Sequence, residues 1–143
     1  MSNKVFVDSN IFVYAYLDSN NDDQHYKHLK AINCLKEICL NNKVVISTQV
    51  LSEYYSALLK NKISDLDIQE SAKYLINSVE ISPISKYTIT ETYDIKNKYR
   101  YSYWDSLIIS SALQNDCSLL YSEDMQHQQE IANKLTIINP FLV

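Results

Sequence analysis

The sequence predicts an α/β/α sandwich in which helices flank a central parallel sheet of four to five strands. Two observations carry that prediction. Short runs rich in β-branched residues alternate with longer segments whose apolar positions recur at helical spacing. The short runs are mostly hydrophobic and read as strands buried on both faces.

Taken in order, Lys4 to Asp8 reads as a first strand and Ile11 to Leu17 as a short helix. From Asp23 to Leu40, the apolar positions Leu29, Ile32, Leu35, Ile38 and Cys39 recur as on one face of a helix. KVVIS, Lys43 to Ser47, is the second strand, and Thr48 offers an N-cap for a helix through Leu59. Ser64 and Asp67 open a helix that carries Ile68, Ala72, Leu75 and Ile76. Val79 to Ser82 is a third strand before Pro83, and Ser85 caps a helix through Tyr99. Trp104 to Gln114 is a strongly apolar helix, Cys117 to Ser122 a fourth strand, and Leu135 to Asn139 a fifth. No repeat or linker interrupts them, so a single domain over 1–143 is expected.

Composition removes whole function classes. The chain of 143 residues has no glycine, and so no Walker loop, dinucleotide fingerprint or G-x-S-x-G elbow. The net charge of -4 gives no global basic field for nucleic acid or anionic membrane. The three cysteines form no C-x-x-C pair and read as small hydrophobes in a reducing cytoplasm. No signal peptide or membrane span is evident.

In such folds ligands sit beyond the carboxyl ends of the strands. The first strand ends in Asp8, Glu53 follows the second, and the fourth leads into Glu123 and Asp124. Asp105 opens the apolar helix in YSYWDSLIIS. Each acid also has a plain structural use. Asp8 can cap a helix, Glu53 can face solvent, Asp105 can complement a helix dipole, and Asp124 can serve a turn. Glu123 reads as the solvated member of its pair. Yet a carboxylate among apolar neighbours is costly to ionise without a partner. A cluster of four favours a hard divalent cation, Mg²⁺ or Mn²⁺, which takes oxygen ligands.

The motifs VDSN at the first strand, ISTQVLSEYY around Glu53, YSYWDSLIISSA around Asp105, LLYSEDMQH around Asp124 and the terminal INPF resemble the PIN domain. Within it they resemble the ribonuclease toxins of VapBC-type toxin–antitoxin pairs. The resemblance runs from Val5 to Phe141. It implies a Mg²⁺- or Mn²⁺-dependent phosphodiesterase acting on RNA, and a neutralising antitoxin. Asp8, Glu53, Asp105 and Asp124 match the acidic quartet, and Ser9 or Asn10 the polar residue beside the first acid. The family that the chain resembles usually has glycine where this chain has Gln128, so a position that often takes positive φ must be met by Gln or by another turn shape.

The residue types fit phosphodiester hydrolysis independently of the resemblance, because carboxylate-held metal ions can activate water and relieve phosphoryl charge. His25, His28 and His127 lie in polar segments and read as surface residues. No histidine pair is placed to drive attack by a ribose 2′-hydroxyl, so products with a 5′-phosphate and a 3′-hydroxyl are expected. Lys27, Lys30, Lys98 and Arg100 are candidates to meet RNA, and Tyr99, Tyr101 and Tyr103 interleave with the last of these. Tyr54, Tyr55, Leu58 and Tyr74 suggest apolar surface in excess of one sandwich face, and so a twofold homodimer. A haloacid-dehalogenase-type phosphohydrolase needs an Asp where Asn10 stands, and a phospho-receiver needs a lysine in the region of Ser122. A non-catalytic binding module on the same fold is the alternative reading.

Overall fold

The computed structural model describes residues 3–143. The elements are β1 (Lys4–Val7), α1 (Ser9–Tyr16), α2 (Asp22–Asn41), β2 (Lys43–Ser47), α3 (Thr48–Lys60), α4 (Asp65–Ser78), β3 (Glu80–Ser82), α5 (Lys86–Tyr99), α6 (Tyr103–Gln114), β4 (Leu119–Tyr121), β5 (Glu130–Ile131) and β6 (Leu135–Ile138). A single 3-10 turn at Pro140–Leu142 follows.

The expected sandwich is present, with six strands in the order β3-β2-β1-β4-β6-β5. All neighbours pair in parallel except β5, which runs antiparallel to β6. β5 is the strand that sequence patterning does not reveal. It has two residues, and its turn uses Ala132 and Asn133 at φ 54° and 55° in place of the glycine that marks such hairpins.

The connections explain the layers. Those from β1 to β2 and from β2 to β3 step one way along the sheet, and the one from β3 to β4 steps back. Right-handed crossovers then put α1–α4 on one face and α5–α6 on the other. Val5, Phe6, Val45, Ile46, Leu120 and Ile137 fill the core between the layers. Tyr54 and Leu58, read from sequence as surplus apolar surface, belong to that core, and Tyr54 closes against Ser71 through its hydroxyl. Tyr55 bonds Asp65, which leaves Tyr74 as the exposed member of the four.

The helices start on polar caps rather than on glycine turns. Asp8, Asn21, Ser47, Ser64, Ser85 and Ser102 each accept a backbone N–H of the helix they precede. Ser47 takes the role expected of Thr48, because the strand runs directly into the helix. Among the described residues no helix is long and apolar enough to cross a membrane.

Candidate active site

The strand order reverses around β1 and β4, so the crevice beyond their carboxyl ends is the switch point of the sheet. Asp8 stands one residue past β1, and its backbone N–H donates to the Tyr121 carbonyl across the crevice at 2.9 Å. Ser122 to Asp124 follow β4 directly. The fold thus delivers two acidic segments to one place from positions more than a hundred residues apart.

Asp8 is 3% exposed. Its carboxylate accepts the Ser9 N–H at 2.7 Å and the Ser122 hydroxyl at 2.8 Å. It is therefore both the helix cap and the innermost acid. Burial pushes its pKa up from 3.8 to about 7, against the lowering effect of those two bonds. Glu53 and Asp124 add repulsion.

Glu53 comes from the second turn of α3, half-buried. Its carboxylate accepts the Ser9 hydroxyl at 3.2 Å and the Gln49 amide at 3.3 Å. Desolvation raises its pKa, and the charge of Asp105 raises it further. Asp105 lies in the first turn of α6, where its N–H is capped by the Ser102 hydroxyl at 3.1 Å. Burial and then the charge of Asp124 raise its pKa.

Asp124 is exposed and is held by the Asn10 amide at 3.0 Å. The same amide reaches Asp8 at 3.4 Å, so Asn10 bridges the inner and outer acids, while Ser9 bridges Asp8 and Glu53. One carboxylate oxygen from each of Asp8, Asp105 and Asp124 lies within 4.8 Å of the other two. Glu53 stands beside this trio rather than in it. Three oxygen donors at that spacing form a hard donor set suited to Mg²⁺ or Mn²⁺.

Glu123 is not solvated, contrary to the expectation from sequence. Its carboxylate accepts the Tyr14 hydroxyl at 2.9 Å and pairs with Lys27 at 2.8 Å. Its backbone N–H donates to Asn10 at 3.3 Å. Lys27 lies over the rings of Tyr14 and Phe141 as well. This knot lies beside Asp124, and only the approach of α1 and α2 to the β4 loop creates it.

The remaining basic candidates are dispersed. Lys30 donates to the Val143 carbonyl at 2.5 Å, on a separate cavity that also holds Cys34 and Tyr121. Lys98 lies over the Tyr99 ring, and Arg100 is exposed at the end of α5 with φ 65°. The Tyr99 and Tyr101 hydroxyls accept the N–H groups of Ala132 and Gln126, so both rings serve the β5 region. His28 and His127 are half-buried and hydrogen-bonded to the Tyr14 carbonyl and the Asn139 N–H, not free at the surface. His25 is exposed and pairs with Asp18.

The PIN-domain family model matches residues 5–134. The chain belongs to the PIN-domain family. Solved structures with the same PIN fold include the VapBC2 complex of Rickettsia felis bound to a promoter DNA fragment, at 21% identity and TM-score 0.67, covering 95% of this chain and 99% of that one. A toxin–antitoxin complex from Klebsiella pneumoniae matches at 14% identity and TM-score 0.70, covering 95% and 97%. Mycobacterium tuberculosis VapC20, described as a Sarcin-Ricin loop cleaving toxin, matches at 15% and TM-score 0.62, covering 81% and 86%. No curated protein sequence matches the chain.

Proposed function

We propose that this PIN domain is a Mg²⁺- or Mn²⁺-dependent endoribonuclease and the toxin of a toxin–antitoxin pair. The observation that carries the reading is the trio of Asp8, Asp105 and Asp124, whose carboxylate oxygens lie within 4.8 Å of one another at the switch point. Without a cation these acids repel and Asp8 is held near neutrality, so the arrangement costs stability unless it binds something positive. A divalent ion held there would supply charge relief for phosphoryl oxygens and acidify a water for attack on phosphorus. Ser9 and Asn10 keep the carboxylates apart and oriented. Glu53, next to the trio, would accept a proton from an attacking water in this reading.

The toxin assignment is supported by the kind of neighbour the fold has: two of the similar structures are toxin–antitoxin complexes. A protein antitoxin, a homodimer and a cytoplasmic location belong to the same proposal, as does a single domain spanning 1–143.

Incubation of unpaired RNA with the purified protein and Mn²⁺ tests the reading. Cleavage should give 5′-phosphate and 3′-hydroxyl ends, stop in excess EDTA, and disappear in Asp105→Asn. Products ending in 2′,3′-cyclic phosphate, or activity that survives EDTA, would overturn it. Mn²⁺ binding with no cleavage of any RNA would favour the non-catalytic binding module.

A further inference from the structure

Beside the acids lies a groove that Glu53 shares and that the trio of Asp8, Asp105 and Asp124 does not line. It has a volume of about 400 Å³ and is lined by Gln49, Ser52, Glu53, Ser56, Trp104 and Leu107, among others. Trp104 is the single tryptophan of the chain, immediately precedes Asp105, and is 62% exposed. An indole left in water at the edge of an active centre forgoes the burial that usually places such a ring in a core. Tyr103 meets it at 84° with ring centroids 5.1 Å apart. That perpendicular contact steadies the indole without forming a parallel stack. Tyr93 in turn stands 6.4 Å from Tyr103, so three aromatic rings form a row ending at Trp104.

A second observation is independent of the aromatics. Gln49 is 8% exposed, and its amide nitrogen donates to the Trp104 carbonyl at 3.0 Å and to Glu53 at 3.3 Å. Those two acceptors fix the orientation of the amide, since a flip would set oxygen against oxygen. The Gln49 Oε1 is then a buried acceptor with no partner. A buried acceptor of that kind costs stability until a donor reaches it. The groove therefore offers an aromatic plane, an apolar Leu107 wall and two serine side chains beside Glu53, with the unmet Gln49 acceptor buried in its wall.

From this geometry we propose a nucleobase subsite: an unpaired base of the RNA stacks on Trp104 and donates an N–H to Gln49. The occupant is an RNA base rather than a protein side chain because the groove adjoins the acids through Glu53, which lines it. A strand whose phosphate lies at the acids has its neighbouring base within reach of the indole. Stacking accepts any base, since every base has a π face, whereas the Gln49 oxygen demands a donor. The subsite rests on the ribonuclease reading and specifies its substrate as unpaired at the nucleotide beside the cut.

Trp104 reports on its own occupancy. Titration with a short single-stranded oligoribonucleotide, in EDTA and again with Ca²⁺, should quench its fluorescence, and the same sequence as a duplex should quench it far less. In Mn²⁺, Trp104→Leu should raise KM by about tenfold with kcat unchanged, and Trp104→Phe should restore most of the loss. Mn²⁺ affinity should be the same in all three proteins, which separates loss of the stacking plane from displacement of Asp105. Fluorescence unmoved by RNA in both conditions, or an unaltered KM in Trp104→Leu, would overturn the subsite. So would fluorescence that responds to dilution of the protein and not to RNA, because a second copy would then cover the indole. Cleavage without quenching would sink the subsite and leave the nuclease standing, whereas quenching without cleavage would do the reverse.

Discussion

The two sides of the active centre are built by different means. Asp8 is fixed by its immediate surroundings: it ends a central strand, caps the helix that begins at the next residue, and accepts the buried Ser122 hydroxyl. Asp124, on an exposed loop, is fixed at a distance. Asn10 of α1 holds its carboxylate, and Tyr14 and Lys27 tie down its neighbour Glu123. The inner acid is thus set chiefly by its own strand end and helix start, the outer one by side chains from two helices. The inner acid is desolvated, so it dominates the electrostatics. The outer acid is exposed to solvent.

Substitution of the inner acid should have the largest effect. Asp8→Asn is expected to abolish cleavage and Mn²⁺ binding by calorimetry, yet to raise the melting temperature of the metal-free protein near pH 8. The asparagine oxygen can still cap α1 while the repelling charge is gone. A metal-free variant that melts lower than the parent would show that the carboxylate is structurally required.

The pH response of the metal-free fold follows from the same burial. The folded-state pKa of Asp8 is raised from 3.8 to about 7, so the folded state binds the proton more tightly than the unfolded chain. The stability this contributes is complete below about pH 4 and is lost as pH rises through about 7. Glu53 and Asp105, also raised, act in the same direction. Melting in EDTA should therefore fall between pH 5 and pH 8, and Asp8→Asn should flatten the fall. Mn²⁺ should reverse the trend, since it requires the ionised carboxylates. An EDTA melting temperature that climbs over this range would contradict the desolvated state of Asp8.

On the outer side the effects are smaller. Lys27→Met frees Glu123, the neighbour of the proposed ligand Asp124, and should weaken Mn²⁺ binding by about tenfold, the low end for loss of support behind a ligand. The melting temperature should hardly change, since an ion pair this near the surface contributes only ~0–1 kcal/mol. Unchanged metal affinity with a raised KM for RNA would instead make Lys27 a phosphate contact. Smallest of all, Gln128→Gly should stabilise the loop region by about 0.5–1 kcal/mol, because Gln128 sits at φ 68° where glycine carries no steric cost. Its N–H bond to the Ile137 carbonyl is backbone and survives the change. Chemical denaturation showing a loss of stability would mean that the glutamine side chain holds the turn.

Much of the centre was legible along the chain. Asp8, Asp105 and Asp124 stand where strands end or a helix begins, with Glu53 in the second turn of the helix after β2, and those boundaries follow from apolar runs and polar caps. At Gln128 the sequence left positive φ or another turn shape open, and the backbone takes positive φ. Glu123 was not legible. A surface acid and a half-buried one have the same sequence signature, and only the approach of Tyr14 and Lys27 distinguishes them. Trp104 was hidden for the opposite reason, since a tryptophan opening an apolar helix reads as core.

By itself the sequence determined the alternation of strands and helices, through local periodicity and side-chain branching that act within a few residues. It also determined the acidic character of the strand ends, which burial makes costly wherever they meet. Tertiary structure alone decided which acids meet. β1 and β4 become neighbours through the crossover of α5 and α6, and that pairing puts Ser122 on Asp8 and Asn10 on Asp124. Contacts between residues more than a hundred positions apart leave no periodic trace in a single chain, because their energy depends on packing geometry rather than on neighbours in sequence.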